Sequence, residues 1–422
     1  VLVAPVEVAY VRITMRRGSN LPAVGTYNQT LVLDLIRRSP AGVSRSELAE
    51  RTGLSAQTLS NVARKLVDEG MIVEGAPIIA GKGKPRTPLQ LNPQARYALG
   101  IHLDPAVDTY VLADMNGAVI DHAEHAPDPA KEASRLLPDL AERANALLDR
   151  AGIHRDRVLG IGVAAPGPID LDRGMLLQPP LLPSWHHVPL RDELQRATGL
   201  PVMVEKDVVA AMVGELWVDT DQRLTEAIFF YFGAGVGVGL AVDATPVRGR
   251  TGNAGDVAHI VVEPDGPPCQ CGQRGCLGVA VAPERLVADA GGDAGGDPQE
   301  RPPSESRDIL GRLARAATEG DATAAAVFAQ TGMSLARALV ALNNLLDADV
   351  VVIGGPIWNR IAPAVEPALR TALATTLEST TTRPISLYGT RLSTDVAALG
   401  AACLVLDGAF TARPAGLMIT RA

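Results

Sequence analysis

The chain is poor in aromatic residues, cysteine and lysine. Aromatics make up 3% of its 422 residues, against 47% hydrophobic and 20% charged residues. That balance excludes a wholly disordered chain and an aromatic-rich secreted scaffold. Four cysteines are too few to staple a chain of this length, so a reducing, cytoplasmic setting is the expectation. No uninterrupted apolar run approaches the roughly 20 residues that a membrane helix requires, and no membrane partner is expected. The opening Val1–Tyr10 is apolar, but Pro5 and Glu7 interrupt it and no basic region precedes it, which argues against a signal peptide. No tandem repeat of solenoid period is present. The length suggests two or three domains.

Lysine occurs only at Lys65, Lys82, Lys84, Lys131 and Lys206, and three of these lie near the front. The net charge of −8 conceals an asymmetry. From Tyr10 to Arg96 there are 13 Lys/Arg against 6 Asp/Glu, and elsewhere 26 against 41. A basic front on an acidic body points to a polyanion as the partner of the front alone. Charge by itself equally describes a solvated basic face.

The front has more than charge. Tyr27–Arg38 places Leu31, Leu33, Leu35 and Ile36 on a short amphipathic helix that Pro40 and Gly42 end. Ser44-Arg45-Ser46-Glu47 is a capping-box sequence, Thr52-Gly53 a turn, and Ser55 the N-cap of a second helix. Leu59, Val62, Leu66 and Val67 form the apolar stripe of that helix. Gln57, Thr58, Ser60, Asn61 and Arg64 lie off it, where base edges would be reached. Two strands, Met71–Glu74 and Pro88–Leu91, flank a basic loop holding Lys82, Lys84 and Arg86. The pattern predicts a winged helix-turn-helix, with Lys84 and Arg86 placed to meet phosphate or the minor groove of a double-stranded operator. A helical hairpin for protein contact is the alternative.

The body alternates strands and helices and predicts two α/β lobes. Expected strands are Ala98–Leu103, Thr109–Ala113, Val119–His122, Val158–Ala164 and Pro201–Val204, with a helix from Asp207 to about Val218. A second lobe is expected from Glu226. Its Gly233-Ala234-Gly235-Val236-Gly237-Val238-Gly239 suits a tight hairpin that is either structural or a phosphate cradle. Ala288–Arg307 reads as a solvated insert, and Val396–Leu406 as an apolar helix with Cys403 in the core. The expected domains are an N-terminal arm at 1–26, the winged helix at 27–92, a first lobe at 97–225 and a second at 226–422, with the last helix free to return to the first lobe.

Cys269, Cys271 and Cys276 lie within eight residues, with His259 ten residues before the first. Three thiolates and an imidazole make a closed tetrahedral set for one structural zinc per chain. Gly272 and Gly275 let the loop turn round the ion. A disulfide or free thiols are the alternatives.

Together these residues resemble the ROK family, named for repressors, open reading frames and sugar kinases, from about Asn28 to Gly400. The resemblance rests on the His259…Cys269-x-Cys271-Gly272-x-x-Gly275-Cys276 block and on Gly160–Asp170. Trp185…Val188-Pro189-Leu190 and Gly354-Gly355-Pro356 add to it. It implies an actin-like ATPase/sugar-kinase fold, α/β throughout, in which two lobes close on a sugar. The winged helix implies the repressor branch, whose members are usually dimers or tetramers. It also implies Lys206, Asp207, Asn253, Asp256 and His259 as the residues that meet a sugar or sugar-derivative effector. Asp207 stands at the kinase base position. The family's Asp-x-Gly-x-Thr phosphate loop appears here as Asp104-Pro105-Ala106-Val107-Asp108-Thr109, without its glycine and with the added charge of Asp108. Its Asn-Asp pair appears as Lys206-Asp207, its Gly-Glu-x-Gly-His as Gly255–His259, and a glutamate expected after the cysteines is Gly278.

The leading expectation is a non-enzymatic, carbohydrate-responsive DNA-binding repressor. An active sugar kinase carrying a DNA-binding domain and a regulator controlled by a partner protein are the alternatives.

Overall fold

The computed structural model describes residues 21–77, 86–127, 133–182, 184–291, 303–377, 385–392 and 394–411. Most of the N-terminal arm, Lys82, Lys84, Lys131 and the middle of the 288–307 insert lie outside the described residues. The chain divides into two compact units between Leu91 and Asn92.

The first unit is three helices and a small sheet: α1 (Leu21–Arg37), α2 (Arg45–Thr52), α3 (Ala56–Asp68), β1 (Ile72–Glu74) and β2 (Leu89–Leu91). Helix α1 begins six residues before the expected start at Tyr27, and its buried stripe is Val32, Leu33 and Ile36. The capping box is complete. The Glu47 amide donates to Ser44 Oγ at 3.3 Å, and the Ser44 amide donates to the Glu47 carboxylate at 2.8 Å. Gly53 ends α2 in the left-handed region (φ 69°), which a side chain would strain. Ser55 caps α3 by accepting from the Thr58 amide. Leu59, Ala63 and Leu66 face inward. Strands β1 and β2 pair antiparallel, Val73 opposite Gln90, and Val43 bridges to Leu89.

The second unit contains one sheet plan used twice. The first lobe is β3 (Tyr97–His102), β4 (Asp108–Asp114), β5 (Val119–His125), α4 (Ala133–Ala151), β6 (Val158–Ala165), a small β7/β8 pair (Ile169–Asp170, Met175–Leu176), α5 (Leu190–Thr198), β9 (Val202–Lys206) and α6 (Asp207–Val218). Its sheet order is β5-β4-β3-β6-β9. The second lobe is β10 (Ala227–Phe232), β11 (Val236–Val242), β12 (Thr245–Pro246), α7 (Leu277–Ala280), α8 (Pro283–Asp289), α9 (Pro303–Thr318), α10 (Ala322–Leu346), β13 (Val350–Gly354), α11 (Trp358–Leu377) and β14 (Ser386–Gly389). Its order is β12-β11-β10-β13-β14. In each sheet the first three strands run antiparallel and the last two join in parallel. The expected insert ends sooner than Arg307, because α9 is helical from Pro303.

The last helix, α12 (Val396–Phe410), belongs to the first lobe and not to the second. A Cβ on Gly100 would lie 1.9 Å from the Ala398 carbonyl oxygen, and one on Gly162 1.9 Å from that of Ala401. Strands β3 and β6 therefore need glycine where α12 rests on them. Helix α10 is apolar and long enough to cross a membrane, with a mean hydropathy of 1.4. Arg337 interrupts its apolar run, and Leu335, Ala338 and Leu339 bury it in the core of the second lobe.

Two substitutions test these supports by denaturation of the full chain. Ser44→Ala should cost the first unit about 1 kcal/mol. Gly162→Ala should cost the second about 3 kcal/mol, because helix α12 must shift to admit the methyl group.

Candidate functional site

Helix α3 is short, capped and amphipathic. Gln57, Asn61 and Arg64 are exposed along one face, with Thr58 and Ser60 half-buried beside them. The Gln57 amide donates to Asn61 Oδ1 at 3.2 Å, which aligns the two side chains. Arg86 reaches Glu47 at 3.2 Å, so the capping-box carboxylate also holds the base of the wing. Lys84 lies outside the described residues.

In the second unit a cavity of about 670 Å³ opens between the lobes. The first lobe supplies Asp104, Pro166, Gly167, Lys206 and Asp207, and the second Tyr231, Gly235, Asn253, Asp256 and His259. The five residues predicted to meet the effector thus share one cavity. They do not have the same part in it. Lys206 is 8% exposed and donates to the carbonyls of Asn253 (3.3 Å) and Ala254 (3.2 Å), across the cleft. The Asn253 amide is spent on the backbone. It accepts from the Ile169 amide at 2.8 Å and donates to the carbonyls of Ile169 and Thr251, both at 2.9 Å. Both residues tie the lobes together, as does the 2.5 Å ion pair of buried Glu205 with Arg248. Asp207, Asp256 and His259 are left facing the cavity.

The Asp207 carboxyl is held above its ordinary range, chiefly by burial, against the pull of His102, the Val208 amide and Lys206. Asp256 accepts from the Ala258 amide and shares the cavity wall with Gly278. The alternating glycines of the hairpin have a packing reason. A Cβ on Gly239 would lie 2.2 Å from the Val208 carbonyl oxygen, and one on Gly237 2.8 Å from the Val208 side chain. At the first turn, Asp104 Oδ1 accepts from the Ala106 amide at 2.8 Å. Asp108 adds less charge there than its sequence suggests, because burial pushes its carboxyl up to about 7.

His259, Cys269, Cys271 and Cys276 come together with their ligand atoms within 4.8 Å of one another. The Cys271 and Cys276 sulfurs are 3.6 Å apart, and Cys269 Sγ is 3.5 Å from His259 Nδ1. Zinc–sulfur bonds of about 2.3 Å in a tetrahedron put two sulfurs about 3.8 Å apart, so donor type and spacing both fit a zinc-like ion. The Gln273 amide leads in holding the exposed Cys271 thiol down to about 7. Gly272 and Gly275 adopt φ of 89° and 63°, and a Cβ on Gly275 would strike the Glu263 carbonyl. Glu263 anchors the loop, accepting from Gln330 (3.1 Å) and Ser334 (2.9 Å) and pairing with Arg285 (3.1 Å). Sequence reasoning missed Glu263, Arg248 and Tyr231. Glu263 and Arg248 carried no motif, and Tyr231 lay hidden in an apolar strand.

A helix-turn-helix unit joined to a twice-used α/β sheet, with a polar cleft and a Cys/His cluster, defines the repressor type of sugar-kinase-like protein. The ROK family profile matches residues 109–408, and the chain belongs to that family. A MarR family profile matches residues 26–77. A xylose repressor of Caldicellulosiruptor bescii is 28% identical over 333 residues, 78% of this chain and 82% of that protein. The DNA-binding transcriptional dual regulator NagC of Escherichia coli K12 is 26% identical over 352 residues, 82% of this chain and 85% of its own. A crystal structure of a ROK family transcriptional regulator, a homologue of the E. coli MLC protein, superposes with a TM-score of 0.72. It covers 92% of this chain and 98% of its own at 24% identity, and supports the fold.

Two measurements follow from this geometry. Elemental analysis should find one tightly held metal per chain, and Cys271→Ser should lose it and lower the melting temperature; a metal-free, equally stable wild type would refute the site. Asp108 should make stability depend on pH. The folded state keeps its proton to about pH 7, whereas the unfolded chain releases it near 3.8. The Asp108 contribution to stability should therefore fall as pH rises from 4 to 7 and level off above, and the wild type minus Asp108→Asn difference in stability should show that decline.

Proposed function

We propose that the protein is a sugar-responsive transcriptional repressor. The observation that carries this reading is the union, in one chain, of a capped recognition helix exposing Gln57, Asn61 and Arg64 with a cleft that Asp207, Asp256 and His259 face. Amides and guanidinium groups on the first turns of such a helix read base edges in a major groove. Carboxylates and an imidazole converging on one cavity recognise hydroxyls. The names of the xylose repressor and NagC relatives agree with this reading, and other relatives are named glucokinase.

The protein acts without catalysis. A backbone that must approach a triphosphate closely needs a permissive residue, and Pro105 and Ala106 stand where the turn would need glycine. Asp207 then serves as a hydrogen-bond acceptor and not as a base. The metal is zinc and structural, since four protein ligands leave no open position. Its histidine also lines the cleft, so the ion fixes one wall of the effector site. The protein works in the cytoplasm as a homodimer or homotetramer on paired half-sites.

The position of Asp207 in the cavity favours a sugar kinase as the second reading. Phosphate transfer from ATP to glucose, xylose or N-acetylglucosamine by the purified protein would establish it and displace the first.

Operator fragments selected from random duplexes give the test. Asn61→Ala and Arg64→Ala should each weaken operator binding by about 1–3 kcal/mol and relax sequence preference. Arg86→Ala should weaken all duplexes alike and flatten the salt dependence. Asp207→Ala should bind operator as wild type does but lose its response to sugar. An Asp207→Ala protein that still responds would move sensing out of the cleft.

A further inference from the structure

Strand β10 sends alternate side chains to opposite faces. Ile228, Phe230 and Phe232 enter the helical core of the second lobe. Tyr231 goes the other way, toward the first lobe. It is 4% exposed, and its ring stands edge-on to His102 at 6.1 Å. Its hydroxyl is buried and has no hydrogen-bond partner. A buried hydroxyl without a partner has given up its bonds to water with no return, which a fold tolerates where a ligand completes the bond.

The position of Tyr231 tells which ligand. It lines the large cavity beside Asp207, and it also lines a second cavity of about 140 Å³ bounded by Pro356, Asn359 and Asp395. Tyr231 and Asp104 are the residues common to the walls of both. The ring also lies over the glycine hairpin: a Cβ on Gly233 would meet its Cε1 at 2.6 Å and its Oη at 2.9 Å. The tyrosine therefore stands as a partition between the cavity holding Asp207 and the space beside Gly354-Gly355-Pro356.

We infer that Tyr231 is the specificity-determining residue of the cleft: its hydroxyl donates to an oxygen of the bound saccharide, and its ring closes the cleft to a nucleotide, so that the saccharide binds alone. This rests on the saccharide-sensing reading above. Burial and the charges of Asp104 and Asp207 hold the phenol well above its ordinary range, so it remains an O–H donor. A site built around such a donor rejects a ligand that offers it no acceptor.

The test uses the full chain, thermal shift and calorimetry, with D-xylose, D-glucose and N-acetylglucosamine as probes. At least one should raise the melting temperature of the wild type. Tyr231→Phe keeps the ring and deletes the donor. Without ligand it should melt at the same temperature as the wild type or higher, and it should bind that sugar at least tenfold more weakly. Mg-ATP, alone or with the sugar, should shift neither protein. Undiminished sugar affinity in Tyr231→Phe overturns the inference. So does a lower melting temperature without ligand, which would mean that the hydroxyl is already paired. A wild-type shift with Mg-ATP overturns the partition. A wild type that none of the sugars shifts overturns the saccharide reading itself, and the role of Tyr231 with it.

Discussion

The approach of helix α6 to strand β11 is the constraint on which the body depends. The Val208 carbonyl sits so close to Gly239 that no side chain fits between them. A helix that follows directly from the first sheet is thereby fixed against the second. Its other side is held as tightly, because Gly214 meets Gly400 of helix α12 and a Cβ on Gly400 would lie 2.2 Å from the Ala210 carbonyl oxygen. Close-packed interiors transmit such fixed distances and do not absorb them. Lys206 and Asp207, at the start of this helix, are consequently placed by backbone contacts and need no ligand to hold them.

From that fixed point the polar bonds across the cleft acquire their meaning. Lys206 and Asn253 bond to main-chain groups of the opposite lobe, and Glu205 pairs with Arg248. Breaking one partner of such a buried set would leave a charge or amide unpaired, at a cost well above that of a surface ion pair. The groups left lining the cavity include Asp207, Asp256, His259 and Tyr231, side chains that can accept or donate hydrogen bonds. Any effect of a ligand there on operator affinity must be matched by an equal effect of operator on ligand affinity.

Much of this was legible in the sequence, for identifiable reasons. The capping box at Ser44–Glu47, the Ser55 cap and the cysteine spacing are local devices, and local devices are written in adjacent residues. The five cleft residues were placed through the family resemblance, since 47 residues separate Lys206 from Asn253 and no periodicity links them. The resemblance implied that all five meet an effector; it did not disclose that the Asn253 amide also bonds the backbone of Ile169. The start of α1 was placed at Tyr27 and lies at Leu21; Pro22 stands in its first turn, where proline is tolerated. The return of α12 to the first lobe was left open by the sequence, which allowed it but did not place it. Its residues are apolar all round, and the close approaches at Gly100 and Gly162 show which sheet it covers.

The two turns of the cleft differ in what packing demands of them. At the second turn, Gly237 and Gly239 are required by the contact with Val208 whether or not a phosphate ever lies there. Their presence is therefore no evidence for a nucleotide. At the first turn Ala106 carries a side chain without obstruction, with its amide bonded to Asp104. Packing there makes no demand for glycine, and no glycine is present. The residue that informs about phosphate is the one that packing leaves free to vary.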